Sequence, residues 1–255
     1  NKTMKAVRTA SPPKIDGKLD DDVWSSAIVL NDFIQYEPYN LETPSVETEV
    51  RVLYDDSFIY IAFENFDPEP STIMDRISRR DDFEAIEKNV DWVGFGIDSN
   101  NDDMTGNWFM LTAAGVQLDV SINESGGWRD KYDISWNAVW DGKTNIHSKG
   151  WSAEIRVPFN VFQFTKNDIQ TWGGTFQRGY FKDQEQIHWP GRSKGVKNTV
   201  PYYGAINGIK NIPQPKSLEL VPYVLAGQTQ SDELNNEGNV GLDLRYNLTS
   251  TATLN

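Results

Sequence analysis

Between Asp133 and Phe159 the chain reads DISWNAVWDGKTNIHSKGWSAEIRVPF, and this stretch restricts the fold more than any other. Trp151, Ala153, Ile155 and Val157 share one parity, while Ser152, Glu154 and Arg156 share the other. Successive side chains of a strand point to opposite faces, so this pattern predicts a strand with one buried and one wet face. Ala138, Trp140, Lys143 and Ile146 lead into a polar turn at Ser148-Lys149-Gly150, where glycine accepts positive φ without steric cost. Strands over 138–146 and 150–157 are therefore expected to pair antiparallel. Pro158 cannot donate to a ladder and ends the second one.

The rest of the chain repeats this style. Asp16-Gly17 is a turn signal, and Asp20 is placed to cap a short helical turn that carries Val23 and Trp24 inward. Glu49–Tyr54 and Phe58–Phe63 alternate around Asp55-Asp56-Ser57 and predict a second hairpin. Residues 71–90 are charged and weakly helical, and are expected to form a polar excursion over a sheet edge. Asp91–Asp98, Trp108–Thr112, Val116–Ile122, Trp172–Arg178 and Phe181–Trp189 give further strands, and 191–203 a basic loop. Many short strands with turn signals and no long helical period predict an all-β fold, an antiparallel β-sandwich.

Composition narrows the partners. A formal charge of -13 opposes binding to nucleic acid and to anionic headgroups. The chain has no cysteine, which removes disulfides and thiolate metal sites. Its nine Trp favour β structure and leave aromatics for a stacking site. No apolar run approaches the roughly 20 residues of a membrane helix. The character changes near Asn211-Ile212-Pro213-Gln214-Pro215, a plausible linker. Beyond it, Leu218–Ala226 and Val240–Leu254 alternate at lengths that suit outer-membrane barrel strands. The division expected is a sandwich over 1–211, then a linker and the first strands of a β-barrel over 212–255. After Asn247-Leu248 the apolar set changes parity, as a turn or bulge would cause.

The segments IDGKLDDDVW, VRVLYDDSFIYIAF, DWVGFGIDSNNDDMTG, GWSAEIRVPF and WGGTFQR, in this order over 12–207, resemble family 9 carbohydrate-binding modules. LELVPYVLAG and GLDLRYNLTSTATLN look like bacterial outer-membrane proteins that place such a domain before a C-terminal barrel. The resemblance implies a sugar clamp of two Trp rings, structural calcium, export and an outer-membrane location. The clamp positions fall at Lys88-Asn89 and Asn198-Thr199, and neither carries Trp. Trp108, Trp128, Tyr202 and Tyr203, with Arg129 beside Trp128, are the residues expected to replace it in binding glycan.

The acidic loop Asp98, Asn100, Asp102 and Asp103 offers hard oxygen ligands at alternating spacing, which suits calcium as well as a solvated turn. Trp136, Trp140, Trp151, Trp172 and Trp189 stand in strand contexts and are expected in the core. His147 and His188 have no zinc-motif spacing. None of the 37 acidic residues lies in a context that marks it as buried, and Glu154 falls on the polar parity. The leading expectation is a non-catalytic carbohydrate-binding domain. A domain that covers or gates its own barrel and binds no sugar is the alternative, and O-glycosyl hydrolysis the third.

Overall fold

The computed structural model describes residues 2–127, 130–196, 198–213, 218–230, 234–249 and 252–254. In chain order its strands are β1 Thr3–Lys5, β2 Val7–Arg8, β3 Ile34–Glu37, β4 Thr48–Tyr54, β5 Phe58–Phe66, β6 Trp92–Asp98 and β7 Thr105–Thr112. They continue with β8 Gln117–Asn123, β9 Tyr132–Asp133, β10 Asp141–His147, β11 Gly150–Pro158, β12 Ile169–Tyr180, β13 Glu185–Trp189 and β14 Gly204–Lys210. β15 Leu218–Gln230, β16 Leu234–Thr249 and β17 Ala252–Leu254 follow. A single-turn helix, α1, spans Phe83–Ile86.

Two sheets face each other as a sandwich. The five-stranded sheet has the order β10-β11-β5-β4-β2. The nine-stranded sheet runs β1-β14-β12-β6-β7-β8-β9, with β13 on β12 and β3 on β13. All pairings are antiparallel except β1 with β14 and β2 with β4. Between the sheets lie the residues that parity places inside. They include Val50 and Val52, Ile59, Ile61 and Phe63, Val93, Phe95 and Ile97, and Trp151, Ala153, Ile155 and Val157. Trp140, Trp151, Trp172 and Trp189 are buried, and Trp136 packs against the same core. Each fully buried large side chain stabilises the fold by roughly 1.5–3 kcal/mol. Ile212 also joins this core.

The β10–β11 hairpin forms as expected, in register from Asp141↔Arg156 to His147↔Gly150. Its first strand starts at Asp141 rather than Ala138. The reason is local: the Ala138 N–H donates to a carboxylate oxygen of buried Asp119 (2.6 Å), and the Trp140 indole N–H donates to the other (3.2 Å). The Ala138 N–H is therefore unavailable to the ladder, and the indole bond holds Trp140 at the same carboxylate.

The expectation of a wet face on β11 is wrong at its centre. Ser152 and Glu154 are buried, at 2% and 0% exposure. The N-terminal segment lies across them. Glu154 accepts hydrogen bonds from the Asp16 N–H (2.9 Å), the Gly17 N–H (2.9 Å) and the Trp24 indole N–H (2.8 Å). Ser152 donates to the Gly17 carbonyl. Gly17 has φ of +88°, and a Cβ there would stand 2.5 Å from the Thr144 carbonyl carbon, so only glycine fits. Burial raises the Glu154 carboxyl above its ordinary range despite these donors. The short helix spans Asp22–Ser26, with Asp21 rather than Asp20 at its cap position and Trp24 turned inward.

The 71–90 segment also differs from its reading. It places Ile86 and Val90 over Trp92, Met110, Leu118 and Val120, an apolar cluster on the outer face of the nine-stranded sheet. It thus covers part of a sheet face rather than skirting an edge.

β15, β16 and β17 form a separate three-stranded sheet, not hydrogen-bonded into the sandwich sheets. The expected irregularity after Asn247 is present as a register shift between Asn247 and Thr249. Val240 and Leu242 are 82% and 60% exposed, while Tyr223 lies opposite Gly241. Among the described residues no helix is long and apolar enough to cross a membrane, which says nothing of a barrel.

Candidate carbohydrate-binding face

On the outer face of the nine-stranded sheet, Gly94 and Gly96 replace side chains with bare backbone. A Cβ at Gly94 would stand 3.0 Å from the Trp108 indole, and one at Gly96 would stand 2.4 Å from the Tyr203 hydroxyl. The two glycines therefore let both rings settle against the strand. Trp108 lies within β7 and makes edge contacts with Trp92 (6.1 Å) and Phe83 (6.4 Å). Burial raises the Tyr203 hydroxyl well above its usual pKa. Tyr202 stands beside it in a short turn, 48% exposed.

That turn is held from below. Glu124 accepts from the Thr199 N–H (2.6 Å) and Val200 N–H (2.9 Å) and pairs with Lys131 (2.6 Å). Burial alone would raise the Glu124 carboxyl, but bonds from Lys131, Val200 and Thr199 outweigh it and hold it below the ordinary range. Trp128 and Arg129 lie outside the described residues. They are bracketed by Gly127 and Asp130, where the Asp130 and Lys131 N–H groups both donate to the Gly127 carbonyl. The structure thus brings Trp108 and Tyr203 to one face, with Tyr202 adjacent.

The same face holds polar residues that the sequence reading passed over. Gln177 lies in one cross-strand row with Gly94 on one side and His188 on the other. Gln186 donates its amide to the Glu87 carboxylate at 3.2 Å. His188 is buried and stacks on Tyr36, with ring centroids 4.4 Å apart, and the Arg192 guanidinium covers Tyr36 at 4.5 Å. Burial, with a smaller contribution from Arg192, pulls the His188 pKa down to about 3, so the imidazole is neutral. The signal for Gln177 was present: it alternates with Gly173, Thr175 and Gly179, so one long polar side chain stands among small neighbours.

Side-chain amides offer a donor and an acceptor together, and half-buried aromatics offer flat apolar surface. This set suits a neutral ligand rich in hydroxyls. It contains no nucleophile–base pair.

In the 98–103 loop, two carboxylates accept from nearby backbone. Asp98 is buried and accepts from the Asp102 N–H (3.3 Å) and Asp103 N–H (3.0 Å). Asp102 accepts from the Met104 N–H (2.8 Å), the Thr105 N–H (2.7 Å) and the Thr105 hydroxyl (2.8 Å). Desolvation pushes Asp98 up to about 6. Among the described residues no three His, Cys, Asp or Glu side chains converge as metal ligands. Asp98 and Asp102 thus both accept from N–H groups of their own loop.

No protein-family model matches the chain, and no curated protein matches it. Solved structures do. A family 9 carbohydrate-binding module from Caldicellulosiruptor kristjanssonii in complex with cellotriose aligns with TM-score 0.59 and 17% identity, over 82% of this chain and 95% of that one. The same organism's module in complex with glucose gives 0.59 and 16%, over 82% and 97%. A candidate carbohydrate-binding protein from Bacteroides uniformis gives 0.60 and 13%, over 81% and 98%. The alignment spans almost the whole of each of these chains. By its fold, this protein carries a β-sandwich of the family 9 carbohydrate-binding-module type.

Proposed function

We propose that the sandwich is a non-catalytic glycan-binding domain and that its site is the outer face of the nine-stranded sheet. One observation carries the reading. Gln177 and Gln186 stand on the same face as Trp108 and Tyr203, around a floor of glycine, in a fold whose solved counterparts hold cellotriose and glucose. The aromatics stack on pyranose faces while the amides and Glu87 meet hydroxyls. Calorimetric titration of a neutral oligosaccharide panel tests this. A saturable isotherm for at least one glycan, weakened about tenfold or more by Gln177→Ala, is the expected result. A panel with no binder overturns it.

A second part of the proposal concerns location. The protein is exported, and its C-terminal strands belong to an outer-membrane barrel. The paired 13 and 16 residues of β15 and β16, with Val240 and Leu242 exposed on one parity, support this. The full chain should partition into detergent micelles, and a chain ending at Pro213 should stay in the aqueous phase. Equal partitioning of the two rules out a membrane role for 214–255.

The alternative is a domain that covers its own barrel and binds no sugar. It is favoured by Lys88, Asn89, Asn198 and Thr199, which occupy the positions where the resemblance implies clamp tryptophans. The same glycan panel separates the two readings.

A further inference from the structure

The opposite sheet carries a groove of its own, of about 770 Å³, between the Lys18–Ser25 segment and the outer face of β4, β5, β11 and β10. Strand register builds its floor. Glu49 stands directly across from Glu64, Glu64 from Ser152, and Ser152 from Asn145, so these four form one row over four strands. The next row is Phe66, Gly150 and His147. Arg51 pairs with Glu49 at 2.8 Å, and His147 with Glu64 at 2.9 Å. All four of these side chains are mostly covered, at 19–27% exposure.

Two carboxylates facing each other across adjacent strands repel, and their Cβ atoms are only about 5 Å apart. Each has one cationic or neutral nitrogen partner here, whereas a carboxylate has about four acceptor positions. Desolvation raises the Glu64 carboxyl above its ordinary range, against the charges of His147 and Arg51, and the charge of Glu49 adds to the rise. Asp20, Asp21 and Asp22 add negative charge at the rim, so with Glu49 and Glu64 the lining carboxylates outnumber the cations Lys18, Arg51 and Lys149. Phosphate, sulfate and carboxylate ligands are therefore disfavoured. An ammonium placed between Glu49 and Glu64 relieves their repulsion, Asn145 offers both donor and acceptor, and Phe66 offers an apolar wall. We propose that this groove binds an amino sugar, with the ligand amine held between Glu49 and Glu64 and its ring against Phe66. This site is separate from the face proposed for neutral glycan.

The test is calorimetric titration with a glucosamine trimer, with the N-acetylated trimer as the uncharged comparison. The amine form should bind saturably and the acetylated form at least tenfold more weakly. Glu49→Gln and Glu64→Gln should each weaken the amine form about tenfold, and Glu42→Gln, at an exposed carboxylate elsewhere, should leave it unchanged. In the wild-type chain, the ligand should shift the His147 ring resonances, which needs no variant to fold. Excess cellotriose should not displace the trimer. Absence of saturable binding overturns the proposal. So does an equal loss in Glu42→Gln, which would mean diffuse attraction to an acidic chain. Displacement by cellotriose would put the ligand on the other sheet and also overturn it.

Discussion

Replacing Glu154 with alanine tests how the N-terminal segment is attached. The substitution removes the acceptor of three buried donors, the N–H groups of Asp16 and Gly17 and the indole of Trp24. Each buried donor left without a partner costs about 1–3 kcal/mol. Against this stands relief from holding a desolvated carboxylate, visible in the raised pKa of Glu154. Removing one member of a buried charged network typically costs about 3–5 kcal/mol, so about 4 kcal/mol is expected here. For a domain of this size that is about 10 °C in melting temperature. Glu154→Gln keeps one acceptor oxygen but turns an NH₂ toward the remaining donors, and about 2 kcal/mol is expected. Urea unfolding gives the energies. Hydrogen exchange at Asp16 and Gly17 should accelerate in both variants, more in the alanine one. A loss below about 1 kcal/mol for Glu154→Ala, with exchange unchanged, would refute the clasp and leave Trp24 packing as the anchor.

Three further outcomes follow from the geometry. His188 has a folded pKa pulled down by burial to about 3 from an ordinary 6.5, so its contribution is full above pH 6.5 and is lost as pH falls. Between pH 6.5 and 4.5 the loss is about 2–3 kcal/mol, read as the difference in acid sensitivity between wild type and His188→Phe, which should be the less sensitive. Calcium at the 98–103 loop would compete with backbone N–H groups for the oxygens of Asp98 and Asp102, so chelator should leave the melting temperature unchanged. A fall that added calcium restores would establish a cation site there. A chain ending at Pro213 should keep nearly the same thermal transition as the full 255 residues, because β15–β17 form their own sheet. Unfolding of the short chain would make those strands part of the sandwich.

Local parity made the sandwich readable. Val50 to Tyr54, Ile59 to Phe63 and Trp151 to Val157 face the core because a period of two leaves no other arrangement with one dry side. Glu154 escaped that logic because its donors lie 130–138 residues away, and parity cannot show what will cover the second face. Trp108 was legible as an aromatic opening a strand, but its seat over Gly94 was not, because that depends on pairing with β6. His188 offered only a lone imidazole in the sequence. Its burial beneath Tyr36 follows from β3 joining the sheet at β13, a pairing across some 150 residues that no turn signal announces.

β1 pairs in parallel with β14, joining Thr3 to Ala205 and Lys5 to Asn207. The first strand of the sandwich therefore has its partner among the last residues of the sandwich. Loop closure on that scale is slow, and contacts across it reward the chain only late. A fragment that lacks β14 cannot complete the nine-stranded sheet, so during synthesis the sheet must stay open until β14 has emerged. A stall before β14 is made would leave the apolar strands of both sheets exposed, and truncated products should aggregate or be degraded rather than accumulate as folded intermediates.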